Sequence, residues 1–150
     1  MNVRFEEVVV GQDLPPFTRA FTREDVKAYA DASGDQNPLH QDDVVARAAG
    51  FSRVDAHGMY TMGTLASWLV DWLGDPSALL RMHVHFRAPV FVDESIECGG
   101  RVRSLDPNAR TAVLELTDGH EALAVGHPEL EGARGALPRE LLPSGHLDDL

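Results

Sequence analysis

The sequence predicts an α+β domain with its helices first and an antiparallel meander after them, and three observations carry that expectation. Apolar residues fall at helical spacing through residues 23–32 and, more densely, through 57–73. From Met82 the period changes to alternation, with Met82, Val84, Phe86 and Ala88 on one face and His83, His85 and Arg87 on the other. Asp118-Gly119 then separates two apolar runs, 112–117 and 122–125, a strong short-range hairpin signal.

Each element has its own signature. Residues 1–20 read as a lead-in: Val8-Val9-Val10 stops at Gly11, Pro15-Pro16 breaks any helix, and Phe17-Thr18-Arg19-Ala20-Phe21 alternates as a short strand. Thr22 reads as an N-cap, and Asp25 completes a capping-box pattern. A helix over 23–32 follows, with Val26, Tyr29 and Ala30 on its apolar face. It meets the polar loop Ser33-Gly34-Asp35-Gln36-Asn37-Pro38. Asp42 and Asp43 suit the first turn of a second short helix by dipole complementarity, and Gly50 suits its C′ position. The run 57–73 is apolar on nearly every side, which marks a helix enclosed by the rest of the fold; Gly74-Asp75-Pro76 ends it. After the half-buried strand at 82–88, residues 95–98 and 101–105 read as a second strand interrupted at Gly99-Gly100. Residues 128–150, punctuated by Pro128, Gly132, Gly135, Pro138, Pro143 and Gly145, read as a tail, mobile or draped over the surface.

Composition narrows the function classes. A chain of 150 residues, 43% hydrophobic, can bury one core. Its formal charge of −11 lacks the basic footprint of a nucleic-acid binder and disfavours an anionic membrane surface. No run approaches the roughly 18 apolar residues of a membrane span. Cys98, the single cysteine, cannot form an intramolecular disulfide, and the start Met1-Asn2-Val3-Arg4-Phe5-Glu6-Glu7 lacks the pattern of a secretory signal. The expectation is a soluble cytoplasmic protein.

Chemistry concentrates in two stretches. In Ser33-Gly34-Asp35-Gln36-Asn37-Pro38-Leu39-His40, Pro38 biases Asn37 away from helix, so Asp35 and His40 sit on a bent loop that can aim both at one small substrate. A histidine titrates near neutrality and a nearby carboxylate orients it, which suits acid–base work. The same residues also suit an Asx-turn followed by the start of a helix, and both readings stand on residue types alone. In Asp55-Ala56-His57-Gly58-Met59, a helix N-terminus presents free N–H groups that Gly58, without a side chain, does not screen. That is the recipe for an oxyanion hole, although a tight lead-in turn would use the same residues. Together the stretches supply the parts for adding or removing water beside an activated carbonyl: a base for the α-proton, donors for the enolate, an acid for the departing hydroxyl. No Gly-x-Ser-x-Gly elbow is present, and Cys98 sits in a strand pattern without an obvious base.

Tyr29-Ala-Asp-Ala-Ser-Gly-Asp-Gln-Asn-Pro-Leu-His40, with Ala46 six residues on and Ala56-His57-Gly58-Met59 following, resembles the paired motifs of MaoC-like dehydratases and (R)-specific enoyl-CoA hydratases. With Trp72-Leu-Gly-Asp-Pro76 it is similar to the catalytic-subunit branch of that family, the mycobacterial-type (3R)-hydroxyacyl-carrier-protein dehydratases. The likeness runs from about Phe5 to Val125. It implies a single hotdog domain over 1–127, a curved antiparallel sheet wrapped around a central helix. It also implies acyl-thioester chemistry without a cofactor or metal, the substrate being carried on CoA or the phosphopantetheine of an acyl carrier protein. Asp35 and His40 would be the catalytic pair and Gly58 the oxyanion donor. Asn37, His57 and Met59 would bind substrate or orient the loop. The partner would be a second copy or a different hotdog subunit, joined edge to edge. Several homodimeric hydratases carry a serine where this chain has Ala66, with Ser67 adjacent, which favours the dehydratase-subunit branch.

Three further features were weighed. His83-x-His85 has a metal-binding spacing but no third ligand nearby in sequence. Arg81, Arg87 and Arg101 could meet substrate phosphates or lie on solvated strands. Trp68 and Trp72, four apart, suit core or dimer contacts. The rival readings are a partner-dependent, non-catalytic subunit that lends an acyl tunnel to a heterodimer, and a hotdog thioesterase. A thioesterase would want an acid well inside the central helix, where Asp71 lies near the far end.

Overall fold

The computed structural model describes residues 3–116 and the backbone of 121–125. Strand β1 (Phe17–Ala20) leads into helix α1 (Arg23–Ser33), the short helix α2 (Asp43–Ala48) and the long helix α3 (Gly58–Leu73). Strands β2 (Leu79–His83), β3 (Ser95–Cys98), β4 (Gly100–Asp106), β5 (Thr111–Leu116) and β6 (Glu121–Val125) follow. The helix ends are set locally. Thr22 and Asp25 cap each other's backbone at the start of α1, Asp42 caps α2, and Gly34 and Gly74 end α1 and α3 in the left-handed conformation (φ 80° and 76°) that a Cβ disfavours.

The strands pair antiparallel in the order β2-β6-β5-β4, with β1 on β3. The two-stranded ladder β1-β3 leads into the four-stranded sheet at Gly99, where β3 gives way to β4, and the N-terminal segment lines the other edge of β4. Gly11 N–H donates to Val102 O, Val102 N–H to Gln12 O, and Leu14 N–H to Gly100 O, each at 2.8–2.9 Å. The irregularity expected at Gly99-Gly100 is thus the point where the chain changes neighbours. A Cβ at Gly100 would lie 2.9 Å from Glu115 O and 3.1 Å from Leu116 Cδ2. Gly100→Ala is therefore expected to cost about 1–3 kcal/mol of stability by overpacking, read as a lowered urea midpoint.

α3 packs Leu65, Trp68, Leu69 and Leu73 against Val102, Ala112, Leu114 and Leu116 of the sheet, and Trp68 Nε1–H donates to Pro15 O at 3.2 Å. Its all-round apolarity suggested complete enclosure; in the chain taken singly Met59, Gly63 and Ser67, one helical line, remain exposed. A sheet curving round one side of a helix leaves such a line uncovered.

The expected strand at 82–88 is shifted: β2 spans Leu79–His83, and the described ladder ends at His83 opposite Glu121, where β6 begins. Alternation at 84–88 gives strand preference, but among the described residues no backbone pairs with it beyond His83. The Asp118-Gly119 turn and the tail at 128–150 lie outside the described residues. Among those described, no helix is long and apolar enough to cross a membrane.

A second apolar cluster, Phe21, Val26, Ala46, Val54, Ala56 and Val92, joins α1, α2 and the segment leading into α3. Asp43 Oδ1 accepts the Val54 N–H at 3.0 Å while its Oδ2 meets Arg23 at 2.8 Å; the amide first and then the guanidinium hold its carboxyl below the usual range. This cluster sets the loop after α1 beside the start of α3.

Candidate active site

The loop after α1 is built from its own side chains. Asp35 N–H donates to Ser33 Oγ, Asn37 N–H to Asp35 Oδ1 (3.2 Å) and Leu39 N–H to Asn37 Oδ1 (3.1 Å). Gln36 ties the loop sideways, donating to Asp31 Oδ1 and accepting from Gln41 Nε2, each at 3.0 Å. The Asx-turn expected at Asn37-Pro38 is present, and it is what bends the chain so that His40, on a 3-10 turn at Pro38–His40, returns toward Asp35.

His40 Nδ1 lies 3.0 Å from the backbone O of Asp55 and 3.1 Å from Asp55 Oδ1. A carbonyl can only accept, so Nδ1 carries the proton and Nε2 is left with its lone pair. By the same logic His57 Nε2 donates to Asp35 O at 3.1 Å. That leaves the His57 Nδ1 lone pair buried with no hydrogen-bond partner among the described residues. The two imidazoles lie with centroids 4.0 Å apart, tilted by 33°, and His57 also touches Tyr29, which stacks on Tyr60. Ligating atoms of Asp35, His40 and His57 all lie within 4.8 Å of one another. His83 and His85 meet edge to face at 4.5 Å, but they belong to no cluster of three ligating side chains among the described residues.

Beside this group α3 begins at Gly58 with His57 as its N-cap, and unlike α1 and α2 it has no side-chain cap. Tyr60 and Thr61 N–H donate to His57 O at 2.9 and 3.1 Å, while the amides of Gly58 and Met59 precede the first intrahelical acceptor. A cleft of about 400 Å³ opens there, lined among others by Asp55, Gly58, Thr61, Phe86, Arg87 and Val90. Phe86 lies against Gly58: a Cβ on Gly58 would come within 3.2 Å of its ring.

The structure thus gathers Asp35, His40, His57 and Gly58, with Asn37 bracing the loop. Met59 turns outward, 60% exposed. Of the arginines, Arg87 lines the cleft, Arg81 is half-buried on β2, and Arg101 is engaged with Asp13 at 2.7 Å on the sheet edge, away from the cleft lining. Ala66 and Ser67 sit midway along α3. Asp55 and Phe86 escaped the sequence reading as site residues. Asp55 stood in a motif with no signal linking it to His40, fifteen residues earlier, and Phe86 was placed on a strand.

Antiparallel strands packed on one long helix, with an Asp/His loop beside that helix's N-terminus, which has no side-chain cap, are the architecture of a hotdog-fold protein. The chain belongs to the MaoC-like dehydratase family: the family described as MaoC like domain matches residues 2–122. It is 32% identical over 114 residues to the 3-hydroxybutyryl-CoA dehydratase of Methylorubrum extorquens, covering 75% of this chain and 72% of that one. A solved MaoC-like dehydratase superposes with a TM-score of 0.76 at 34% identity, over 84% of this chain and 43% of that one, so the present chain spans less than half its length. The (R)-hydratase from A. caviae superposes with a TM-score of 0.71 at 27% identity, over 80% of this chain and 98% of that one.

Proposed function

We propose that the chain is a hydro-lyase that reversibly interconverts (R)-3-hydroxyacyl and trans-2-enoyl thioesters of CoA or an acyl carrier protein. The observation that carries the reading is the convergence of Asp35 and His40 within 4.8 Å beside the uncapped start of α3. In the dehydration direction the thioester carbonyl sits at the Gly58 N–H, which acidifies the α-carbon and holds the enolate. His40 Nε2 takes the α-proton. The resulting imidazolium returns it to the β-hydroxyl as the C–O bond breaks, so water leaves and the enoyl thioester remains. Asp35 accepts a hydrogen bond from that hydroxyl, or from the incoming water in the reverse direction. No step draws on a metal or cofactor. Arg87 is the arginine suited to the phosphates, a local cation that a chain of net charge −11 needs to meet anionic CoA or carrier. The uncovered line on α3 and the exposed Leu80 of edge strand β2 support assembly with a second hotdog subunit, identical or different.

Purified protein supplied with crotonyl-CoA and longer enoyl-CoAs, followed by loss of enoyl absorbance, tests the reading. Asp35→Asn is expected to lower kcat by about a hundredfold, since an amide also presents a donor to the hydroxyl. Equal turnover by wild type and variant would overturn the assignment. Activity that emerges on adding a co-purifying subunit would support the two-subunit form.

A further inference from the structure

Asp55 is a buried carboxylate, 8% exposed, that the two motifs of the site do not explain. Its backbone carbonyl and its Oδ1 share the single Nδ1–H of His40 in a three-centre hydrogen bond of 3.0 and 3.1 Å. Burying a carboxylate is costly unless a partner stabilises it, and the side chain's hydrogen bond is to the His40 ring, on the side away from the reacting nitrogen. The carbonyl alone already fixes the tautomer. What the carboxylate adds is negative charge in contact with the ring that must become an imidazolium.

We propose that Asp55 is a positioning residue for His40: it holds the ring with Nε2 toward the substrate and stabilises the imidazolium formed when Nε2 takes the α-proton. This rests on the hydro-lyase reading and names a third member of its proton-transfer machinery. The ionisable groups facing His40 come from three places: Asp35 on the loop, His57 at the start of α3, and Asp55 on the segment between α2 and α3. Asp35 has no hydrogen bond to the His40 ring among the described residues, and His57 is held by its own hydrogen bond to Asp35 O, so Asp55, which also reaches the cleft lining, is the carboxylate bonded directly to Nδ1.

The test is Asp55→Asn, which keeps the shape, the backbone carbonyl and the tautomer while removing the charge. An opposite charge in contact favours the protonated ring, so its loss makes His40 a weaker base. The acidic limb of the kcat/KM profile is expected to move about one pH unit lower. At the plateau kcat should fall about three- to tenfold, one unit of basicity corresponding to at most a tenfold change, with KM unchanged. A role confined to packing would lower the Tm and leave the midpoint in place. The titration midpoint of the His40 ring, followed by NMR in wild type and variant, should fall in parallel and needs no turnover. It therefore decides the role of Asp55 even if the hydro-lyase reading fails. Should Asp55→Asn not fold, Asp55→Ser removes the same charge. Midpoints unmoved by NMR in a folded variant would overturn the proposal.

Discussion

His40→Ala is expected to lower kcat for crotonyl-CoA hydration by about a thousandfold, the largest catalytic effect of any substitution considered. In the proposed mechanism one ring both takes the proton and returns it, so truncation removes base and acid together. In that mechanism Asp35 would still hold the water and the Gly58 N–H would still meet the carbonyl, so a residual rate above the uncatalysed one and a KM close to wild type are expected. The substitution also strands the buried Asp55 carboxylate without its ring partner, at a cost of about 1–3 kcal/mol. The comparison is therefore made well below the variant's Tm. A kcat within threefold of wild type would remove His40 from the chemistry and with it the proposed mechanism.

The largest expected effect on stability lies elsewhere, at Leu69 in the middle of α3. Its side chain is fully buried, 0% exposed, in the cluster that also holds Leu65, Leu73, Leu114 and Leu116. Leu69→Ala removes the transfer free energy of the lost atoms and leaves a cavity that a helix held by both neighbouring turns can close only in part. The expected loss is about 2–5 kcal/mol, a Tm lowered by roughly 5–20 °C in calorimetry. The active-site groups sit on the loop after α1 and at the first residue of α3, so kcat at low temperature should be nearly unchanged. A stability loss under 1 kcal/mol would mean that α3 is not packed on the sheet as described.

Much of the architecture was legible because it is specified by near neighbours. The capping box of Thr22 and Asp25 and the left-handed glycines Gly50 and Gly74 are decided within a turn or two of chain and stand where the sequence places them, and the Asp42 cap and left-handed Gly34 are equally local. The loop from Ser33 to His40 was legible for the same reason, since its bend is made by side chains bonding backbone two residues on. Strand limits were less so. Residues 84–88 alternate like a strand, yet pairing needs a neighbouring backbone, and the ladder stops at His83.

The sequence by itself determined the α+β order of elements, the bent loop that carries Asp35 and His40, and the glycine at the start of the long helix. Those features depend on local hydrogen bonds and on periodicity. Only the tertiary structure decided how they meet: that His57 is tied to the Asp35 carbonyl, that Arg101 is engaged with Asp13 while Arg87 lines the cleft, and that Asp55 stands behind His40. The physical reason is distance along the chain. Contacts between residues fifteen or more apart are fixed by how the Phe21–Val54–Val92 cluster packs the helices against one another, and no short-range preference encodes that packing.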